Sequence, residues 1–343
     1  GQSHTRYYMK SLRKNKIGYI YGIAILLLLL SAVLGVLLGA SELSLSDMLS
    51  SLAKGDLESP EARILIYVRL PRMLSTLICG AALAVSGAVI QGVLANRLAS
   101  PSIIGVNAGA GLAITVCSAL GIMGGWRLSL FAFVGAFLTV MLVSLGAKKW
   151  GASRGTVILM GVALNALLGA ISDTVTTFNP EVSIQSLDFK IGDFSSVTCA
   201  KLIPATGIVL ISIVILLTLS NELDVLTLGD ENAKGLGLNT GVMRVIFLLL
   251  CALLAGASVS VCGLLSFVGL LVPHAVRRIA TSESKHLLPL CALFGAGFVS
   301  ICDTIARVVF APYELPVGII MAFLGAPFFI FILIRGKGGH SRA

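Results

Sequence analysis

Leu70-Pro71-Arg72-Met73-Leu74, running into Gly80-Ala81-Ala82-Leu83-Ala84-Val85-Ser86-Gly87, decides the fold of this chain. A proline and an arginine stand at the mouth of a long apolar stretch, and small residues then run along it. Charge kept at a membrane boundary is costly and marks a use. Small residues in a lipid-buried helix let neighbouring backbones approach closely. Together they describe a packed multi-helix channel or transporter with a docking surface at its rim.

The composition agrees. Of 343 residues 57% are hydrophobic and only 12% charged, where a soluble domain carries about 25% charged residues. Mean hydropathy is +0.98. A spanning helix needs about 20 apolar residues, so ten of them with short loops use most of the length. The 37 glycines suit the same all-α, polytopic class.

Apolar runs fall at about 17–39, 64–95, 102–122, 126–147, 156–178, 201–219, 243–262, 264–280, 287–310 and 317–334. The eighth is short and reads as broken by Pro273. Residues 41–62 read as an outer loop with an interfacial helix, and 181–199 as a second outer segment. The net charge of +9 follows topology. Arg6, Lys10, Arg13, Lys14 and Lys16, then Lys148, Lys149 and Arg154, Arg277, Arg278 and Lys285, and Arg335, Lys337 and Arg342 all fall on one side. By the positive-inside rule that side is cytoplasmic and holds both termini. The expected organisation is a cytoplasmic tail 1–16, one transmembrane domain 17–335 and a cytoplasmic tail 336–343. Met9-Lys10 reads as the natural start, with residues 1–8 an added leader. Residues 82–89 faintly echo 254–261, as an inverted repeat would.

Several classes are excluded or disfavoured. No aromatic-interleaved basic patch supports nucleic-acid binding. The seven cysteines form no C-x-x-C pair and read as small apolar-phase side chains, so no metal site is expected. No G-x-x-x-x-G-K-[ST] loop is present, and neither is H-E-x-x-H. No catalytic residue is therefore assigned, which disfavours an intramembrane hydrolase. An ion-coupled secondary transporter would need an ionisable relay at mid-membrane, for which only Asp173 and His274 offer themselves. His274 reads more simply as a packing or capping group.

Val68-Arg69-Leu70-Pro71-Arg72 with Gly80 to Gln91 closely resembles the FecCD-like permeases of ABC importers. So do Leu98-Ala99-Ser100-Pro101 with Gly105 to Ala110, and Leu228-Gly229-Asp230-Glu231 with Ala233 and Leu236-Gly237. Gly263 to His274, Glu314-Leu315-Pro316-Val317-Gly318 and Leu324-Gly325-Ala326-Pro327 complete the set. The resemblance spans about residues 20–335, with Arg97 standing where the family usually has proline.

The resemblance implies the type II importer architecture: ten helices per subunit and a second permease subunit, identical or homologous, around a central path. It also implies two cytoplasmic ATPase subunits, which hold ATP and magnesium, and an extracellular or periplasmic substrate-binding protein. The bacterial cell membrane is the expected location, and a ferric siderophore, the family's commonest substrate, is the favoured cargo, with haem or cobalamin as alternatives. No cofactor is expected on this chain.

Three groups of residues follow. Segment 226–237, with Leu228, Gly229, Asp230, Glu231, Ala233, Leu236 and Gly237, is expected to be a short cytoplasmic coupling helix that docks on an ATPase; Leu226 and Leu238 add apolar contacts. Arg69, Arg72 and Arg307 lie at outer helix ends, against the positive-inside trend. By resemblance they receive carboxylates of the binding protein, while Asp303 and Arg307 are also spaced to pair locally. Helices five, eight and ten are implied to line the path, with Asn165 and Asp173 on helix five and an inner gate at Ser153 to Thr156.

Overall fold

A computed structural model describes the whole chain except residues 1, 40–43, 123, 152 and 338–343. The expected tail 336–343 lies almost wholly outside the described residues, as do the side chains of Arg6, Lys10, Arg13, Lys14, Arg335, Lys337 and Arg342.

In chain order the helices are α1 (Gln2–Leu37), α2 (Leu45–Ala53), α3 (Pro60–Ile64), α4 (Leu70–Val93), α5 (Val106–Ala119), α6 (Gly125–Lys149), α7 (Arg154–Phe178) and α8 (Pro180–Gln185). Then follow α9 (Leu187–Ile191), α10 (Cys199–Thr218), α11 (Ser220–Thr227), α12 (Asp230–Gly235), α13 (Thr240–Cys262), α14 (Val268–Ile279), α15 (Ser284–Val308) and α16 (Val317–Lys337). There is no strand among the described residues. Seven helical stretches are long and apolar enough to cross a bilayer, and Val106–Ala119 and Val317–Phe331 are shorter apolar helices. With α14 they occupy the ten places expected. α1 differs at its start: nothing in the basic lead breaks a helix, and it extends back to Gln2.

The opening motif builds the centre. Pro71 has no N–H to give, and just before it the ladder widens into a π turn, Leu65–Arg69, where the Leu70 amide bonds Leu65 O. The helical stretch therefore continues unbroken from Pro60 to Val93. α4 is buried along most of its length and is surrounded by α13, α14 and α15. Its small residues face backbone. A Cβ on Gly80 would lie 2.3 Å from Gly295 O, and one on Gly87 only 1.9 Å from Gly269 O. The thiol of Cys251 donates to Ser86 O at 3.5 Å and that of Cys79 to Ser258 O at 3.9 Å, so α13 runs antiparallel to α4.

α14 corrects one expectation. Pro273 lies inside it, and what shortens it is the non-helical stretch 263–267, which Gly263 opens at φ 74°. Leu264 N donates there to Phe189 O at 2.8 Å. Pro273 has a different effect: it cannot bond the carbonyl four residues back. That carbonyl, Gly269 O, accepts instead from Gln91 Nε2 of α4 at 3.0 Å. Gln91 Oε1 in turn accepts from Arg277 Nη1. One amide thus seats the half-helix on the central helix. Residues 187–193 hook between α13 and α16, with Asp193 N on Cys262 O (2.9 Å) and Gly318 N on Gly192 O (3.2 Å).

Candidate functional site

Three regions carry the residues singled out above. At one end of the bundle α11 and α12 form the coupling segment. Gly229, at φ 103°, turns the chain between them. Leu226 and Ala233 are fully buried, so they hold the segment to the body and are not available for docking. Leu228 (56% exposed) and Leu236 (67%) face outward, as do Glu231 and Gly237. Asp230 has an internal partner: Oδ1 accepts from Nη2 of the fully buried Arg244 at 2.6 Å. The carboxylate expected to dock is engaged in holding α12 to α13. Arg244, fourteen residues on, was not recognisable as that partner.

Two further links tie the segment to spanning helices. Asp224 accepts from Ser284 N (3.1 Å) and Ser284 Oγ (2.6 Å), capping α15 from another helix. Arg154, the first residue of α7, donates from Nη2 to Leu226 O at 2.8 Å.

At the opposite end, the rim, Arg69, Arg72 and Arg307 are all buried. Their geometry has a local cause. A helix leaves its last carbonyls without partners, and cations suit that end. Arg69 Nη1 donates to Val36 O (2.9 Å) and Leu37 O (3.2 Å). Arg307 donates to Gly35 O (2.9 Å) and Leu38 O (2.8 Å). The two arginines therefore cap α1 from α15 and from the turn before α4. Arg72 binds Asp303 through Nε (3.1 Å) and Nη2 (2.9 Å), and Glu314 Oε2 through Nη1 at 2.6 Å. Asp303 Oδ2 also lies 3.1 Å from Arg307 Nε, the expected i,i+4 pair, although this contact is misaligned for a hydrogen bond. The donors expected to face a partner are mostly used inside the chain. Three cations and two carboxylates leave the cluster at +1.

α7 and its N-cap carry all four path residues. Ser153 caps it, accepting from Thr156 N at 3.1 Å, with the two hydroxyls 2.7 Å apart. Asn165 Nδ2 donates to Ser102 O at 3.0 Å, which fastens mid-helix to the turn before α5. Asp173 is exposed, and its carbonyl accepts from the hydroxyls of Thr176 and Thr177. Only 11% of the α7 spanning window is buried, against 72% for α13. No group of three or more metal-ligating side chains occurs among the described residues.

A ten-helix bundle with a half-helix, a tethered amphiphilic segment at one end and a compact charge cluster at the other defines a polytopic permease subunit. The chain belongs to the FecCD transport family, whose pattern matches residues 26–335. It is therefore a multi-pass membrane transport subunit of the ABC permease class. It is 36% identical to the Fe(3+)-citrate import system permease protein YfmD of Bacillus subtilis, covering 92% of this chain and 94% of that one. Identity is also 36% to the vitamin B12 import system permease protein BtuC of Yersinia enterocolitica, over 85% and 90%. A solved structure described as an inward-facing metal-chelate type ABC transporter superposes with TM-score 0.79 at 29% identity, covering 93% of this chain and 99% of that one.

Proposed function

We propose that this chain is the membrane path of an ATP-driven importer for a ferric siderophore, working with a second permease subunit, two ATPases and an external binding protein. The observation that carries the reading is the coupling segment. Leu228 and Leu236 expose large apolar side chains on a segment tethered to α7, α13 and α15. An exposed apolar pair on a rigid mount suits a partner's cleft. The chain has no phosphate-binding loop, so hydrolysis belongs to that partner, and the coupling end is cytoplasmic.

At the rim, the net positive cluster steers the binding protein's carboxylates, setting orientation and rate more than affinity. The bond from Arg72 to Glu314 is the exchangeable one, since Glu314 is 35% exposed. Driving a near-complete flip between two access states takes about 5.5 kcal/mol of differential binding, which ATP-driven closure of the partners supplies. Along α7, Asn165 and Asp173 line the path, and the turn Ser153 to Thr156 is the inner gate.

Leu228→Asp and Leu236→Asp are each expected to reduce co-purification of the ATPases about tenfold while membrane levels stay unchanged. Unaltered co-purification would remove the docking surface. For the cargo, the assembled complex in vesicles is offered labelled ferric siderophores, ferric citrate, haem and cobalamin. ATP-dependent uptake of a ferric siderophore is the expected result. The equal identity to a vitamin B12 permease keeps cobalamin as a second reading, and uptake of cobalamin alone would select it. Uptake on an ion gradient by the permease alone would overturn the proposal.

A further inference from the structure

Two buried polar atoms beside the coupling segment have no hydrogen-bond partner: Arg154 Nε and Glu222 Oε2. They carry opposite charge and belong to adjacent elements. Arg154 already reaches α11, since its Nη2 holds Leu226 O. Glu222 lies four residues, about one turn or ~6 Å, before Leu226 on that helix. Even so, no ion pair joins Arg154 to Glu222 in this state among the described residues. Each of these two atoms forgoes a hydrogen bond, so a contact between them would be a gain.

The mounting of the two helices gives that contact a use. α13 and α15 are largely buried, and their links to the segment hold it to the core. α7 is the most exposed of the three, with 11% of its spanning window buried, and no other side-chain hydrogen bond or ion pair between α7 and α11–α12 is seen among the described residues. Its middle is seated on the turn 102–105: a Cβ on Gly161 would lie 2.0 Å from Ile103 O, and Asn165 bonds Ser102 O. Seven to eleven residues, or ~10–16 Å, separate that seat from Arg154. A push at Arg154 therefore acts on α7 at a distance from its seat.

We propose that Arg154 and Glu222 are positioning residues for transport: when the ATPases displace the coupling segment, the guanidinium leaves Leu226 O for the Glu222 carboxylate, and that pair carries the displacement into α7. The inference rests on the importer reading above.

The test uses the complete complex in vesicles and reads ATP hydrolysed per radiolabelled ferric siderophore taken up, a ratio that loss of folded protein alone leaves unchanged. Arg154→Gln and Glu222→Gln are each expected to raise that ratio about tenfold, within the range of coupling mutations. The charge swap Arg154→Glu with Glu222→Arg is expected to return it to within about threefold of wild type. A Glu222→Gln complex with the wild-type ratio, or a swap no better than the single changes, overturns the proposal. Should a single variant fail to reach the membrane, the neutral pair Arg154→Gln with Glu222→Gln decides, because it leaves no lone charge: a raised ratio upholds the link and a wild-type ratio overturns it. A wild-type complex with no ATP-driven uptake of ferric siderophore, ferric citrate, haem or cobalamin sinks the importer reading and this one together. A working wild type with an unaffected Glu222→Gln sinks this one alone.

Discussion

Gly87→Leu is expected to leave almost no folded permease in the membrane, and even Gly87→Ala to lower its unfolding temperature clearly. The cause is backbone against backbone. A Cβ at Gly87 would lie 1.9 Å from Gly269 O and 2.5 Å from Gly269 C and Cα, so no rotamer change can relieve it. α14 would have to move away. Gly269 O is also the carbonyl that Pro273 leaves open and Gln91 binds, so moving it opens that bond and disturbs the seat of Arg277 on the same amide. Overpacking in cores costs about 1–3 kcal/mol when side chains can adjust. Here they cannot, and about 3 kcal/mol is the lower end of the expectation. Gly207 on α10 is the control, because a Cβ there meets nothing within 4 Å. Gly207→Ala is expected to unfold at or slightly above the wild-type temperature, since alanine favours helix. The measurement is thermal unfolding of detergent-solubilised protein together with its membrane level. Gly87→Ala unfolding at the wild-type temperature would disprove the close contact.

The same contact shows how far a sequence can be read. Gly80 and Gly87 announce close packing, since small residues in an apolar helix have few other uses. They do not say that Gly295 and Gly269 receive them. Ten helices are legible because apolar runs and their breaks are local properties, and each run was long enough to stand out. Pro273 is the more obvious helix breaker in the eighth run, yet it lies inside α14 and the chain leaves the helix over residues 263–267. Leu264 there bonds Phe189, seventy-five residues away in the chain, and no local pattern reports such a bond.

The coupling segment was legible as motif and position. Its division into faces was not. Leu226 and Leu228 look alike in sequence, yet one is fully buried and the other is 56% exposed. Arg244 reads as one more basic residue on the inner side until Asp230 is found on it. Arg154 reads as one more inner-side basic residue within the gate turn 153–156, and Glu222 carries no signal in the sequence. The rim arginines were conspicuous because they oppose the charge trend. Their first task, satisfying the carbonyls at the end of α1, needs the meeting of segments more than thirty residues apart in Arg69 and about 270 apart in Arg307.

Asp303 provides the second large effect. Its carboxylate is 1% exposed and lies between Arg72 and Arg307. Asp303→Leu leaves two buried guanidinium groups facing each other, with only the part-exposed Glu314 to offset them. Removing one partner of a buried charge cluster costs about 3–5 kcal/mol, so Asp303→Leu is expected to lose most of its folded protein. Glu314→Gln should cost no more than about 1 kcal/mol, because that carboxylate is partly solvated. The informative variant removes charge in balance. Arg72 binds only Asp303 and Glu314 among the described residues, whereas Arg307 keeps Gly35 O and Leu38 O at the negative end of α1. Arg72→Met with Asp303→Leu therefore replaces a buried ion pair by apolar side chains, a change that is often neutral or stabilising. The pair is expected to restore membrane level and unfolding temperature close to wild type, while stimulation of ATP hydrolysis by the binding protein falls severalfold because the exchangeable donor has gone. Two measurements on one variant thus separate the structural task of the cluster from its docking task. A double variant as unstable as Asp303→Leu alone would show that the carboxylate is needed by Arg307, not Arg72. A stable double variant with full stimulation would place the docking contact elsewhere on the rim.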